Sequence, residues 1–521
     1  MIKKTTLFNQ QNDSLFVLIK SLSKSEKRQF NLYVGRLEGN VDSKFLLLFK
    51  FLDKLKRYDE KAIIKSNIVT KQQLSNLKAH LYKQILISLR LNPSLKNIRI
   101  QLREQLDFAT ILYQKGLYKQ SLKLLDKAKN IAIENEEKNI AYEIVELEKV
   151  IESQYITRSI NTRADELTIQ AKELSLQNVI TSKLSNLSLQ LYGTLLKTGY
   201  VRNDEELEKV TTYFNKKLPQ FDFSTLGFRE KLWLYKAHLW RSLLTQDFIH
   251  SYKFANKWVD LFRQHPKNIS FHPVFYLKGK NYLLESLFLV KHFPKFKEEL
   301  MLFEREIEEN KIPLNNNTEI LLFQYYYANK LHYHFLEGSF SEGEYLVDII
   351  NQKIEIYQSR LDNHHIITLY YKIACLYFGM GKNEQCIYYL SKIISSKNVK
   401  IAEDLQCFAR ILSLIAHYDC GLDYDFERQF KDTYKFLLKM ENLQEVQKIF
   451  ITSIRALGDV YPHEIKAAFK KIHQQLKQFE NHPYEKRGFI YLDILSWLES
   501  KIENKPISQI IKEKTKILSN K

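Results

Sequence analysis

The sequence predicts an all-α protein: an N-terminal helical bundle, then a superhelical array of paired helices, then capping helices at the C-terminus. Three observations predict it. Only 14 Gly and 9 Pro occur in 521 residues, too few for the tight turns of an all-β fold or for Gly-rich phosphate-binding folds. Apolar residues recur at helical spacing through long runs. A helix–glycine–helix pattern returns along the chain at steps of 40 to 47 residues.

The first element is basic. Residues 1–100 hold 20 Lys and Arg against 7 Asp and Glu, so this fifth of the chain carries a surplus of 13 out of a net charge of +19. "SLSKSEKRQFNLYVGRLEG" opens a helix with Ser23 and Glu26 at capping-box spacing. "SKFLLLFKFLDKL" is a second, very apolar helix. "YDEKAIIKSN" and "TKQQLSNLKAHLYKQILISLRLN" then read as a short helix, a turn and a long helix. Leu74, Leu77, Leu81, Ile85 and Ser88 share one face of the long helix. Gln72, Asn76, His80 and Lys83 lie nearer the other. As a helix-turn-helix, this segment would offer Gln72, Asn76 and Lys83 to base edges and Lys71, Lys78 and Arg90 to phosphates. As part of a bundle that closes the array, the same residues form a solvated face. The richness in Lys, Ile, Asn and Tyr is equally explained by an AT-rich coding sequence.

The second element runs over residues 101–480. In "LYQKGLYKQSLKLLDKA", Gly116 interrupts an otherwise helical stretch. A glycine there takes the positive φ that ends one helix before the next begins. Ala109 and Ser121 are small enough for two antiparallel helices to approach, with Leu112, Tyr118 and Leu125 between them. Similar offsets occur around Gly381 (Ala374, Tyr377, Cys386, Leu390, Ile393) and Gly338 (Leu331, His334, Phe340, Val347, Ile350). Weaker copies turn near Ser159, Gly199, Gln246, His292 and Gly421. Pro219, Pro266, Pro273, Pro313 and Pro462 fall between helical runs, and Pro294 stands where a second helix would begin. This pattern resembles the tetratricopeptide-repeat superfamily, whose repeats pair small residues with an aromatic after a turn glycine. The resemblance implies a right-handed array of about eight helical hairpins with longer helices than the usual ~34-residue repeat.

The third element, residues 481–521, carries Tyr491, Ile494, Leu495, Leu498 and Ile502 at helical spacing, a break at Pro506 and a basic amphipathic end. It suits a terminal cap, with Trp497 packed on the preceding hairpin.

No catalytic or metal site emerges. "GMGKN" imitates the end of a phosphate-binding loop, but Leu376 stands where the first loop glycine belongs and Asn383 where the magnesium-binding hydroxyl belongs. His332 and His334 lie about 200° apart on a helix, so they do not share a metal. Cys375, Cys386, Cys407 and Cys420 form no CxxC pair and read as small apolar residues. No cofactor is expected. No run is long enough to span a membrane, and "MIKKTTLFNQQNDSLF" lacks the apolar core of a signal peptide, so a cytoplasmic location is expected.

These readings lead to a non-catalytic scaffold that holds a protein partner in its concave groove. On "FQYYYANKLHYHF", Tyr327, Leu331 and His334 match the inter-helix positions, which leaves Tyr326, Lys330 and Tyr333 as groove candidates. The alternative is an RNA, DNA or ribosome adaptor that grips phosphates with residues 1–100.

Overall fold

A computed structural model describes every residue except 1–12, 37–43, 93–96, 155–161, 359, 396–402, 422, 438–444, 458–459, 462, 490–492 and 520–521. The expected turn near Ser159, together with Pro462 and Tyr491, lies outside the described residues. Among the described residues there are 25 α-helices and no strand. None of these helices is long and apolar enough to cross a membrane. The chain divides into two compact units, Met1–Leu167 and Thr168–Lys521.

The first unit begins with α1 (Ser14–Ser21), which the polar start of the sequence did not suggest; Asp13 caps it by accepting from the Phe16 amide at 3.1 Å. Next come α2 (Lys24–Gly35), α3 (Lys44–Lys54), α4 (Glu60–Lys65) and α5 (Lys71–Arg90). The capping box of Ser23 and Glu26 is formed. Ile19, Phe30, Leu48, Leu81 and Ile85 close a core shared by these helices. Then α6 (Ile98–Gln114) and α7 (Tyr118–Glu134) form a hairpin about Gly116, whose φ is 72°. The Ser121 hydroxyl donates to the Ala109 carbonyl at 2.7 Å, and both residues are fully buried, so the two helices meet where the small side chains permit. α8 (Lys138–Glu152) folds back on α7 after Glu136, at φ 58°. The Arg163 guanidinium joins Asp126 at 3.0 Å and Glu148 at 3.1 Å.

One helix, α9, then runs without interruption from Arg163 to Thr198. The spacing had suggested a hairpin pair between turns near 159 and 199. No proline lies in this stretch, and its one glycine, Gly193, sits inside the helix, so nothing breaks it.

In the second unit, helices follow one another as hairpins, compatible with a helical-repeat solenoid. α10 (Asp204–Lys217) follows Gly199; α11 (Phe228–Leu244) and α12 (Phe248–Gln264) pair about Gln246. A short α13 (Lys267–Phe271) leads to α14 (Pro273–Leu289), with Pro273 at its first turn, and α15 (Phe293–Glu308) follows Lys291. Then α16 (Asn316–Glu337) turns at Gly338 into α17 (Tyr345–Tyr357), and α18 (Asn363–Gly379) turns at Gly381 into α19 (Asn383–Ile394). α20 (Glu403–Asp419) turns at Gly421 into α21 (Asp423–Leu437), followed by α22 (Glu445–Leu457) and α23 (Ile465–Lys477). Every expected turn that is described holds a left-handed residue at or next to the position read from the sequence, from Gly116 at φ 72° to Gly421 at φ 66°. At Gln246, side-chain bonds offset the strain: its amide donates to the carbonyls of Val201 and Tyr484 at 2.9 and 3.1 Å.

The closing helices α24 (Ile494–Glu503) and α25 (Ile507–Ser519) do not lie only against the last hairpin. Trp497 is fully buried among Tyr418, Phe450 and Phe469 and donates from Nε1 to Asp419 at 3.1 Å. Ahead of it, Tyr484 donates to Asp204, and Lys486 lies over the Phe248 ring. After it, α25 packs on α15 and α16. This segment therefore passes along the turns of hairpins far apart in sequence.

Candidate binding site

The helices α11, α14, α16 and α18 each bury one face against their hairpin partners. A further face of each carries buried and half-buried side chains that meet across helices. On α11 these are Trp233, Lys236 and Trp240; on α14, Phe275, Lys278, Tyr282 and Glu285. The two sets share one spacing, an aromatic, a lysine three residues on and an aromatic four further, and are offset by 42 residues. On a helix that spacing puts all three side chains on one side.

The row is continuous. Tyr192 of α9 meets Trp240 at 4.8 Å between ring centroids, Trp240 meets Tyr282 at 5.7 Å, and Trp233 meets Phe275 at 5.5 Å. The Asn329 amide of α16 donates to Asn281 of α14 at 2.9 Å and to its own Tyr325 carbonyl at 2.8 Å. His332 stacks on Phe288 with centroids 3.9 Å apart, and the Lys372 ammonium of α18 donates to its Nε2.

Lys236 lies 4.5 Å from the centre of the Trp233 ring and 5.9 Å from that of Phe275, held by cation–π attraction. Among the described residues neither Lys236 nor Lys278 has a carboxylate or hydrogen-bond partner. Burial and the neighbouring Lys278 ammonium push Lys236 down to about 8; burial alone lowers Lys278. At the far end of the row the charges are matched. Burial pushes Lys372 down to about 8 against the nearby Glu285 carboxylate. Burial raises Glu285 against Lys372 and Arg487. Burial and Lys372 hold His332 well below the ordinary imidazole range, so it is neutral and accepts. The buried Asn329 Oδ1 has no hydrogen-bond donor among the described residues. The site thus combines aromatic walls with two lysines that have no carboxylate partner among the described residues.

The groove candidates read from the sequence lie elsewhere on α16. The Tyr326 hydroxyl and the Lys330 ammonium both bond Glu304 of α15, at 3.1 and 2.6 Å. Tyr333 donates to Glu337 at 2.8 Å and packs on Phe293. All three occupy the flank turned toward α15, about 100° round the helix from Tyr325, Asn329 and His332. Of the residues missed by the sequence reading, Lys236 and Lys278 had a signal in the aromatic–lysine–aromatic spacing of α11 and α14, while Asn329 and Lys372, on α16 and α18, lie outside it.

In the first unit, Gln72, Asn76 and Lys83 are exposed on one side of α5, with Lys71 exposed beside them. Lys78 and Arg90 are engaged: Lys78 with Asp13 and with the Tyr58 hydroxyl at 3.0 Å, Arg90 with Asp107 at 2.8 Å. Gly381, in the loop that imitates a phosphate-binding motif, has φ 75°, and the adjoining Lys382 pairs with Glu344 at 2.5 Å. Among the described residues no group of three His, Cys, Asp or Glu is placed to hold a metal.

No family model, curated protein or solved structure matches the chain.

Proposed function

We propose that the chain is a non-catalytic helical-hairpin repeat protein of tetratricopeptide-like kind, and that it binds an extended acidic segment of a protein partner along the row on α11, α14, α16 and α18. The observation that carries this reading is the Lys236–Lys278 pair. The Lys278 charge opposes that of Lys236, both side chains are largely out of water, and neither has a carboxylate partner among the described residues. An acidic ligand removes that repulsion. Trp233 and Phe275 supply flat apolar walls for the side chains beside the acid. Glu285, within the same row, disfavours a continuous polyanion.

The test is fluorescence anisotropy with a labelled Glu-rich peptide and, in parallel, a single-stranded oligonucleotide of equal charge. The peptide is expected to bind saturably, and Lys236→Gln with Lys278→Gln to weaken it at least about tenfold. Peptide binding indifferent to the double substitution would refute the reading.

A second reading rests on the first unit. Asp13, Glu26, Asp53 and Asp59 each serve a helix cap or an ion pair, while Lys71 and Lys83 are exposed with no partner among the described residues. That surplus favours a phosphate-bearing ligand. Oligonucleotide binding that falls steeply with salt and vanishes in Lys71→Glu, Lys83→Glu would support it.

A further inference from the structure

A second group of polar side chains without partners lies where α10, α11 and α12 meet, on the side of α11 turned away from the lysine row. His238 follows Lys236 by two residues, which puts the two side chains about 160° apart round the helix. The His238 imidazole is half-buried between two rings. Phe214 of α10 lies at 4.9 Å between centroids, and Phe254 of α12 stacks on it at 4.4 Å and 12°. The Arg241 guanidinium, one turn further along α11, lies 5.1 Å from the centre of the Phe214 ring. The Lys257 ammonium of α12 lies 6.0 Å from the centre of the Phe254 ring and 5.9 Å from that of Tyr235. A ring face attracts a cation but does not replace the acceptors its N–H groups need. Among the described residues, the Arg241 guanidinium, the His238 ring nitrogens and the Lys257 ammonium have no hydrogen-bond or ion-pair partner.

The carboxylates of these helices are engaged elsewhere. Asp247 caps α12 and pairs with His250 at 2.7 Å, and Asp260 accepts from Asn256 and Arg263 at 2.7 and 2.8 Å. Glu230 of α11 accepts from Thr181 at 3.0 Å. On α10, Glu205 pairs with Lys209, Glu206 with Arg202, and Asp204 accepts from Tyr484. Glu208 lies about 120° round that helix from Phe214. The imidazole registers the resulting field. Burial and the charges of Arg241, Lys257 and His250 push His238 down to about 4, with no carboxylate acting against them. Charges that oppose a proton on that ring attract an anion beside it.

The donors differ in kind and act at one ring, so they suit one compact anion and not an extended acidic segment. A carboxylate brings two oxygens and one charge. A phosphate group brings at least three oxygens and a charge close to two, enough for a guanidinium, an ammonium and an imidazole at once.

We propose that Arg241, His238 and Lys257 bind a phosphate group, as the free ion or as a small phosphate ester. Arg241 takes two of the oxygens through its planar fork, Lys257 supplies the second positive charge, and His238 donates a ring N–H. This site is independent of the lysine row.

The test follows the imidazole signals of the full chain by NMR, with the His238 signal assigned from His238→Gln. Inorganic phosphate at pH 7 is expected to move that signal saturably, and sodium chloride at equal ionic strength to leave it in place. Arg241→Gln is expected to abolish the movement. Lys257→Gln, at an exposed position, is expected to weaken phosphate at least about threefold, and it carries the test should Arg241→Gln not fold. Ribose 5-phosphate separates the sources: binding tighter than that of inorganic phosphate assigns an ester, and equal or weaker binding assigns the free ion. No saturable movement, the same movement with chloride, or an affinity unchanged in either folded variant would overturn the proposal.

Discussion

Lys278 and Lys280 stand two residues apart on α14 and face different surroundings. Lys280 is fully buried, within 3.6 Å of Glu299 and 3.4 Å of Glu306, with the Phe303 ring below it. Arg263 of α12 completes that cluster through two bonds to Glu299, at 2.9 and 2.6 Å. Lys278 is half-buried and has no carboxylate partner among the described residues. Gly279 between them turns to a third face, where a Cβ would stand 2.9 Å from the Trp258 ring. Successive residues on a helix are 100° apart, so three neighbours serve three environments. The difference separates two uses of a cation. At Lys280 the chain itself supplies the opposite charges and the ions help join α12, α14 and α15. At Lys278 and Lys236 no carboxylate among the described residues does so, and in the proposed function an acidic ligand supplies the missing charge.

The matched side breaks with the largest effect. Glu299→Ala leaves Arg263 and Lys280 short of their shared anion and is expected to cost about 3–5 kcal/mol in a denaturant melt. A smaller loss, about 1–3 kcal/mol, is expected for Gly279→Ala, because the new methyl meets Trp258 in a filled core. It tests the third face of the helix without touching a charge. On the open side the sign reverses: Lys278→Met is expected to leave the melting temperature unchanged or raise it, since no partner is lost and a repulsion is removed. A loss comparable with that of Glu299→Ala would show that Lys278 has a structural partner after all.

The pH dependence sharpens the same contrast. Lys236 is pushed down to about 8, against 10.5 for the ordinary side chain. Between those values the unfolded chain binds more protons than the native one, so stability rises with pH across that window. Lys372, also near 8, contributes in the same direction. The rise is expected to shrink, not vanish, in Lys236→Met, as read from denaturant midpoints at pH 8 and 10. Affinity for an acidic peptide is expected to fall above pH 8, by no more than about tenfold per pH unit for each lysine that loses its proton.

The hairpins were legible because each needs a left-handed residue between two apolar helices. Glycine marks that need at Gly116, Gly199, Gly338, Gly381 and Gly421. At Gln246 the apolar runs on either side were enough, and between α14 and α15 the special residue is Lys291, next to the expected His292. The long α9 was not legible, because the expected period continued over a stretch that contains no helix breaker. Which flank of α16 is tied to its neighbours was not legible either. "FQYYYANKLHYHF" puts an aromatic or polar side chain on every face. Tyr326, Lys330 and Tyr333 looked available until Glu304 and Glu337 proved to hold them. The ion partners come from α15 and from the far end of the same helix, and sequence spacing alone does not rank them above a ligand.

The central claim is that Lys236 and Lys278 are an unmatched pair kept for an acidic ligand. Titration of lysine side chains by NMR, in wild-type protein and in Lys236→Met to assign the signal, measures it most directly. Lys236 is expected to titrate near 8 in the free protein and to move up toward 10.5 when a Glu-rich peptide is added. An ordinary value near 10.5 that the peptide leaves unmoved would contradict the account.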